Sequence, residues 1–229
     1  MPNVVDPRVF QLPVYLEARA NRLRNLFHYV DAQSLRGKRV LETGCGTGEL
    51  GEEFIKLGCQ VVSIDATAEY IRELNARYPA REAYVVDLDA FDPAPLGAFD
   101  IILCFGLLYH LWKPTRFLSV CASIAEEIYL DTMMCDSEEI TYYLMREQGA
   151  DQAFSSVGCR PTGAWIRLVM NHLGFEVRDI SSALANWEAD SPAVFDWVPQ
   201  NDQSLKRGAA YLRRMYICSR MARRQSAAR

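Results

Sequence analysis

Two acidic residues accompany a run of alternate glycines early in the chain. The run reads Val40-Leu41-Glu42-Thr43-Gly44-Cys45-Gly46-Thr47-Gly48, and Asp65 ends the next apolar stretch. Glycine lets the backbone adopt positive φ angles and lets a ligand approach the main chain where a Cβ would clash. An acid about 20 residues later is placed to accept hydrogen bonds from a ribose diol. The pattern predicts a strand, turn and helix that bind a nucleotide-type cofactor.

The position of Glu42 helps to distinguish a dinucleotide from a cationic cofactor as the ligand of this loop. Gly46, Gly48 and Gly51 also match the dinucleotide pattern G-x-G-x-x-G. A dinucleotide places its pyrophosphate on the helix N-terminus, and we expect the Glu42 carboxylate to repel that group. The same carboxylate would attract the sulfonium and ammonium groups of S-adenosylmethionine (SAM), whose ribose diol suits Asp65. The loop therefore favours SAM.

With these residues the chain resembles the class I SAM-dependent methyltransferases, whose first motif is acid-x-Gly-x-Gly-x-Gly. The resemblance is strongest over residues 35–131, and it includes Tyr84-Val85-Val86-Asp87-Leu88 and the apolar stretch 99–104. It implies that the glycine loop contacts the methionine part of SAM. It also implies that an N-terminal helix acts as a lid whose Tyr15 or Arg19 reaches the methionine carboxylate. The other implied cofactor contacts are Glu42, Gly44, Cys45, Gly46, Gly48, Asp65, Ala66, Asp87, Leu88 and Cys104.

The elements around this site follow an alternating strand and helix pattern, which predicts one α/β domain over residues 1–229 with a Rossmann-like, doubly wound, mostly parallel sheet. Residues 1–34 are expected to form an N-terminal helical cap, 35–131 the SAM-binding core, and 132–229 a substrate-side insertion with the C-terminal strands. The resemblance implies an antiparallel last strand. We expect strands at 38–43, 60–65, 83–87, 99–104, 125–131, 175–180 and 214–218, helices at 48–57, 68–78 and 113–122, a break in the alternation over 132–160, and a packed excursion at 183–205 around Trp187, Phe195 and Trp197.

Ligands of open α/β sheets lie beyond the C-terminal ends of the strands, so the acceptor is expected beside residues 105–114. Tyr109 and His110 are the candidate catalytic residues there. Histidine titrates near neutral pH and can remove a hydroxyl proton, although His110 could instead shape the pocket wall. An arginine can clamp a carboxylate or phosphate, whereas tyrosines at these positions could equally pack on a helix. The candidate substrate contacts are Trp112, Tyr142, Tyr143, Arg160 and Trp165.

Composition and charge limit the binding partners and the cellular compartment that we expect. The net charge of −4 argues against a broad nucleic-acid surface. The basic stretches at 19–24 and 213–229 are predicted to be a solvated face and a tail. Seven cysteines without a C-x-x-C pair, with no signal pattern and no membrane-spanning apolar run, predict a reducing cytoplasm and no membrane partner. No metal-ligand cluster is visible, and we expect a monomer or a homodimer.

The favoured function is methyl transfer from SAM to an oxygen or nitrogen of a small molecule. Tyr109-His110 and the segment from Arg160 to Glu176 are also similar to the catalytic domain of bacterial enzymes that carboxymethylate wobble uridine in tRNA. A tRNA substrate is therefore one alternative. The superfamily also contains lyases and cyclases in which the amino-acid part of SAM reacts with itself, and a SAM-binding module without catalysis is the remaining alternative.

Overall fold

Strands and helices alternate along the part of the chain that a computed structural model describes, which is residues 6–135, 137, 139–147, 156–182 and 212–222. The helices are α1 (Pro13–Phe27), α2 (Glu49–Lys56), α3 (Ala68–Arg77), α4 (Pro114–Ile124) and α5 (Gly163–His172), and short 3₁₀ helices cover Pro7–Gln11, Ala32–Leu35 and Leu108–His110. The strands are β1 (Arg39–Thr43), β2 (Gln60–Asp65), β3 (Glu82–Val85), β4 (Phe99–Phe105), β5 (Ala125–Met134), β6 (Tyr142–Arg146), β7 (Val157–Pro161), β8 (Phe175–Asp179) and β9 (Leu212–Arg220).

Seven of these strands form one sheet in the order β3-β2-β1-β4-β5-β9-β8. The first five pair in parallel, and β9 runs antiparallel to both β5 and β8. The predicted doubly wound sheet and the place of its antiparallel strand are therefore confirmed. The order reverses between β1 and β4, and open α/β sheets bind ligands at the strand ends beside such a reversal.

The central strands are buried on both faces because helices cover the sheet on both sides. Neighbouring residues of β4 show this, since Ile102 and Leu103 point to opposite faces and each is 0% exposed. Ile102 packs in a cluster with Phe117 of α4, and Leu103 packs in a second cluster with Phe54 of α2. The sheet is thus the rigid base from which the loops at its C-terminal edge project.

Residues 132–160 depart from the alternation, as the sequence predicted. β5 continues to Met134, three residues beyond its expected end, because it pairs with β9 over eight positions. β6 and β7 then form a separate antiparallel hairpin. β7 packs against the 3₁₀ helix Leu108–His110 that follows β4. The excursion predicted at 183–205, with Trp187, Phe195 and Trp197, lies outside the described residues.

The glycine loop after β1 rests on a buried carboxylate. Glu42 is 2% exposed, its Oε1 accepts the Gly51 N–H at 2.8 Å, and its Oε2 accepts the Ser63 hydroxyl at 2.7 Å. Arg81 lies 3.6 Å from Oε2 and also pairs with Glu52 at 2.8 Å. Burial raises the pKa of Glu42 to about 7, although the Ser63 hydrogen bond and the Arg81 charge oppose this. This one side chain ties β1 to β2 and to α2.

Truncation of a central core residue should be costly. Ile102→Ala removes a fully buried side chain from β4, and we expect the free energy of unfolding to fall by about 2–5 kcal/mol. The matched control is Leu168→Ala on α5, where the side chain is 52% exposed, and we expect a change of at most about 0.5 kcal/mol. Urea unfolding measures both variants, and equal losses would contradict this burial.

The raised pKa of Glu42 predicts a pH dependence of stability. Between the ordinary value of 4.5 and about 7, the folded chain holds a proton that the unfolded chain has lost. Stability contributed by this group is therefore complete below pH 4.5 and is lost as the pH rises towards 7. Glu42→Gln removes the titration, so its free energy of unfolding should fall less over this window than that of the wild type.

Urea unfolding at a series of pH values tests this expectation. The control is Glu53→Gln, because the Glu53 side chain is 39% exposed and pairs only with Lys56 among the charged groups described near it. We expect the control to follow the wild-type pH profile. A Glu42→Gln profile parallel to the wild type would contradict the linkage.

Candidate active site

A cavity opens beyond the C-terminal ends of β1, β2 and β4, and α1 forms part of its wall. The sheet order divides its lining into two sides. The acidic side follows β2 and β3 and contains Asp65, Asp87 and Asp89. The basic side follows β4, lies at the start of the antiparallel strand β9, and includes Arg22 from α1. The remaining residues of that side that matter below are Tyr109, His110 and Arg213.

Backbone conformation and crowding both require glycine in the loop after β1. Gly44 has a φ of 63° and Gly46 a φ of 53°. A Cβ on Gly44 would lie 2.8 Å from the side chain of Leu107, and one on Gly46 would lie 2.8 Å from the ring of Phe10. Side chains at these positions would be strained and would push apart the walls of the cavity.

Asp65 is held across the loops that follow β1 and β2. Its Oδ2 accepts the Gly46 N–H at 2.9 Å, and its Oδ1 accepts the Thr67 N–H at 2.8 Å. Burial raises the pKa of Asp65, and these two donors act in the opposite direction. Each carboxylate oxygen keeps a second lone pair, so a ribose diol in the cavity would find two fixed acceptors. The geometry therefore fits the predicted ribose contact.

The loop after β3 continues the acidic side. Asp87 and Leu88 both line the cavity beside Asp65 and Ala66. Asp87 accepts the N–H of Asp89 at 3.0 Å, which fixes the turn that carries it. The predicted adenine contacts of Asp87 and Leu88 stay predictions, and their placement is compatible with them.

Aromatic residues from the N-terminal segment cover the glycine loop. The ring centroid of Phe10 lies 5.0 Å from that of Tyr70 and 5.7 Å from that of Tyr15, both edge-to-face. Tyr15 and Arg19 line the cavity, and their predicted contact with the methionine carboxylate stays a prediction. Phe10 and Tyr70 also line it and were missed, since Phe10 precedes the helix and Tyr70 occupies an ordinary apolar position of α3.

Two arginines share one buried carboxylate on the basic side. Asp131 of β5 is 0% exposed, and its Oδ2 lies 3.1 Å from Arg22 Nε and 3.0 Å from Arg213 Nη1. Arg213 Nη2 also donates to the Tyr109 hydroxyl at 3.2 Å. The prediction of a solvated tail from residue 213 is therefore wrong for Arg213, because β9 directs its side chain into the cavity. Arg22 stands three residues after Arg19, so their shared helix face could have indicated it.

His110 and Glu147 form a close pair of ionisable side chains beside the cavity. His110 lines the cavity, and its Nδ1 lies 2.6 Å from Glu147 Oε2. Glu147 Oε1 accepts a hydrogen bond from Arg160 Nη1 at 2.8 Å. Sequence reasoning missed Glu147, because the hairpin of β6 and β7 brings it to a histidine 37 positions away. Tyr109 lies beside them, with its ring centroid 4.0 Å from that of His110.

Three predicted substrate contacts are corrected by these positions. Arg160 is 7% exposed and its Nη1 also donates to the carbonyl oxygens of Cys159 and Tyr109, so it is not placed to clamp a substrate. Trp165 lies in the hydrophobic core, and Tyr142 meets its ring edge-to-face at 5.2 Å. Tyr142 thus packs beside α5, which is the alternative that the sequence left open for it.

The other two predicted substrate contacts lie outside the cavity lining. Trp112 is 45% exposed, and the Lys113 ammonium lies 4.8 Å from its ring centroid. Tyr143 donates to Glu139 at 3.0 Å, and that hydrogen bond raises the pKa of the phenol. Neither residue contributes to the cavity wall described above.

One predicted cofactor contact requires correction. The thiol of Cys104 is 0% exposed within the core, and the cavity begins one residue later at Phe105. Glu42 borders the cavity, and its carboxylate oxygens also accept hydrogen bonds from the protein, so its predicted contact with the cofactor stays a prediction. Gly48 is the N-cap residue of α2 and Gly46 donates to Asp65. Their predicted contacts with the cofactor also stay predictions.

Three further features concern metal ligands, membrane-spanning helices and the cysteines. Within the described ranges, no three histidine, cysteine, aspartate or glutamate side chains converge as metal ligands. None of the described helices combines the length and apolarity needed to cross a bilayer. All seven cysteines are buried with free thiols.

Comparisons with known proteins agree with this architecture. Residues 40–127 match the family model described as "Methyltransferase domain". The chain is 34% identical over 131 residues to the ubiquinone biosynthesis O-methyltransferase of Xanthomonas euvesicatoria pv. vesicatoria (strain 85-10), covering 53% of this chain and 49% of that protein. For the enzyme of the same name from Burkholderia thailandensis the identity is 29% over 133 residues, covering 54% and 56%. The chain thus spans about half the length of the curated relatives it matches.

Solved structures share the fold over most of the chain. The N-terminal domain of EvdMO1 with SAH bound has a TM-score of 0.66 at 20% identity, covering 89% of this chain and 81% of that one. Magnesium protoporphyrin IX methyltransferase from Synechocystis PCC 6803 with bound SAM has a TM-score of 0.58 at 16% identity, covering 92% and 83%. Residues 40–127 therefore match a methyltransferase domain that includes the first motif, and the chain shares its fold with these SAM- and SAH-bound structures.

Proposed function

We propose that the chain transfers a methyl group from SAM to an oxygen or nitrogen of a small-molecule acceptor. One observation carries this proposal: a single cavity joins the carboxylate of Asp65 on its acidic side to His110 and Tyr109 on its basic side. The first side fits a ribose, and the second presents a group that can accept a proton. A donor and an acceptor bound in the same cavity could therefore meet.

The residues that would hold the cofactor follow from their positions. Asp65 would accept the two ribose hydroxyls, and Asp87 with Leu88 would border the adenine. The glycine loop would lie along the amino-acid part, with Tyr15 or Arg19 near its carboxylate. Bound SAM supplies an electrophilic methyl group on a positively charged sulfur.

The protein's contribution to transfer is alignment and exclusion of water. Phe10 and Tyr70 cover the glycine loop, while Phe105 and Leu111 add apolar walls near His110. Holding two reactants in line can contribute about 7 kcal/mol or more to catalysis. An enclosed wall of this kind suits a small acceptor.

The relatives and the basic residues both favour a small acceptor over tRNA. The matched relatives are named as O-methyltransferases of ubiquinone biosynthesis, and a structural neighbour as a porphyrin methyltransferase. Arg22 and Arg213 line the cavity and pair with buried Asp131, so they do not belong to a basic outer surface. A compact aromatic or hydroxylated molecule is the acceptor that we propose.

Binding of the cofactor tests the acidic side. Asp65→Ala removes both proposed ribose acceptors, and we expect the dissociation constant for SAM or S-adenosylhomocysteine (SAH) to rise more than tenfold, since each lost hydrogen bond to a charged group is worth about 1.5–3 kcal/mol. Calorimetry measures this. Asp92→Ala in the exposed turn before Ala94 is the control, and it should leave the affinity unchanged. An unaltered affinity in Asp65→Ala would refute the ribose assignment.

Product analysis tests the reaction itself. The protein is incubated with SAM and a panel of phenols, catechols and amines, and mass spectrometry follows the products. We expect a methylated acceptor and SAH in equal amounts. Release of methylthioadenosine without any acceptor would instead favour a lyase or cyclase.

His110→Ala should lower turnover of a hydroxyl acceptor by about 100-fold or more, with SAM affinity nearly intact, whereas parallel losses in both would contradict a role in proton removal.

A further inference from the structure

Three side chains behind the cavity wall are joined in a row by hydrogen bonds, and the inference drawn from them rests on the proposed function. We propose that Glu147 is a positioning residue that keeps the proton of His110 on Nδ1, so that Nε2 can take the proton of an acidic hydroxyl acceptor. Arg160 in turn fixes Glu147. The acceptor class is then a phenol or an enol, whose hydroxyl proton must leave as the oxygen is methylated.

The contact between His110 and Glu147 defines the tautomer. Nδ1 and Oε2 lie 2.6 Å apart, and the side chains are 14% and 2% exposed. An ionised carboxylate can only accept hydrogen bonds, so Nδ1 must carry the hydrogen. A neutral imidazole has one protonated nitrogen, and its Nε2 therefore presents a lone pair.

Glu147 is kept ionised by its two partners. Burial by itself would raise the pKa of Glu147, but the hydrogen bonds and charges of His110 and Arg160 lower it below its ordinary value. Arg160 Nη1 lies 2.8 Å from Oε1, and its side chain is 8% exposed. Arg160 is itself held by the carbonyl oxygen of Cys159 at 2.9 Å. The carboxylate thus has both oxygens fixed by cationic or imidazole donors.

Other charged groups also face His110. Asp65, on β2, lies close enough for the charge of His110 to act on its carboxyl group. Tyr109 lies on the same 3₁₀ helix, with its ring 5.2 Å from the guanidinium of Arg160 and 5.2 Å from that of Arg213. An imidazolium formed at His110 would therefore be stabilised by Glu147 directly and by Asp65 across the cavity.

The lack of a side chain at Gly158 allows β7 to lie close to the turn that carries His110. A Cβ at this position would lie 2.3 Å from the carbonyl oxygen of Tyr109 and 2.6 Å from both Cδ and Oε1 of Glu147. Contacts this short do not occur with real Cβ atoms, so glycine lets β7 and the Glu147 carboxylate lie against the turn that carries His110. The Cys159 thiol adds a contact to the carbonyl oxygen of Leu108 at 3.3 Å.

The proton and the electrons balance through these residues. His110 Nε2 takes the hydroxyl proton of the acceptor, and the oxygen lone pair forms the new bond to the methyl carbon. The electron pair of the broken carbon–sulfur bond stays on sulfur, which gives neutral SAH. Glu147 stabilises the resulting imidazolium until its proton passes to water. A neutral amine already offers a free lone pair, so it gains far less from this arrangement than a hydroxyl.

The tautomer can be measured without any acceptor. Nitrogen-15 NMR of the SAH complex distinguishes protonated from unprotonated ring nitrogens, and the spectrum of His110→Asn assigns the signal of His110. We expect hydrogen on Nδ1 and none on Nε2 in the neutral ring, and loss of this preference in Glu147→Ala. The signals of His28 and His172 serve as internal references. Hydrogen on Nε2 of wild-type His110 would overturn the inference.

Kinetics then separate positioning from general structural damage, with 3,4-dihydroxybenzoate and its diamino analogue as probes. In Glu147→Gln we expect kcat for the catechol to fall at least about tenfold, with KM for SAM unchanged. Glu147→Asp should recover part of the loss, because it restores the carboxylate. The control is Glu139→Gln, which removes only the partner of Tyr143 on the neighbouring segment and should retain wild-type kcat.

Each outcome of these tests decides one claim. Methylation of the amine probe in preference to the catechol would overturn the acceptor class. If Glu147→Gln fails to fold, Gly158→Ala tests the same contact by displacement of the carboxylate and should show the same loss of tautomer preference. A chain that does not bind SAH refutes the proposed function, whereas a chain that binds SAH with the wrong tautomer refutes only the role of Glu147.

Discussion

The geometry of the cavity depends on the buried carboxylate of Glu42. It accepts hydrogen bonds from Gly51 at the start of α2 and from Ser63 on β2, so the loop between β1 and α2 is fixed from below. Gly46 of that loop then donates to Asp65, so the loop is also held against the end of β2. A buried donor or acceptor left without a partner costs about 1–3 kcal/mol. The loop therefore cannot shift without breaking several buried contacts, which fixes the acidic side of the cavity.

The sheet order converts this fixed loop into a cavity with two chemically different sides. Asp65 ends β2 and Asp87 follows β3 on one side of the reversal, whereas His110 follows β4 and Arg213 lies near the start of β9 on the other side. In the proposed reaction the donor is a cation and the acceptor must lose a proton, so the two ligands would need different surroundings. The cavity offers both, and in our proposal Glu147, which follows β6, orients the histidine.

Local sequence patterns predicted the core of the fold, but they did not predict contacts between residues that are far apart in the sequence. The parallel strands, α2 and α3, the glycine loop and Asp65 follow from alternation, apolar spacing and turn chemistry, which act over a few residues. Glu147 could not be predicted, because a separate hairpin brings it to His110. Residue type also misled where a neighbour satisfies the side chain: Arg160 resembled a substrate clamp, yet it is held by Glu147 and by backbone carbonyl oxygens within the protein.

In the proposed reaction the donor sulfur and His110 face the same acceptor position, and a crystal structure of the SAH complex tests this most directly. We expect ribose hydroxyls on Asp65 and a sulfur directed towards His110 Nε2, with room between them for one acceptor oxygen, since reacting atoms meet at about 3–3.5 Å. A ribose held elsewhere, or a sulfur directed away from His110 towards a closed wall, would contradict it.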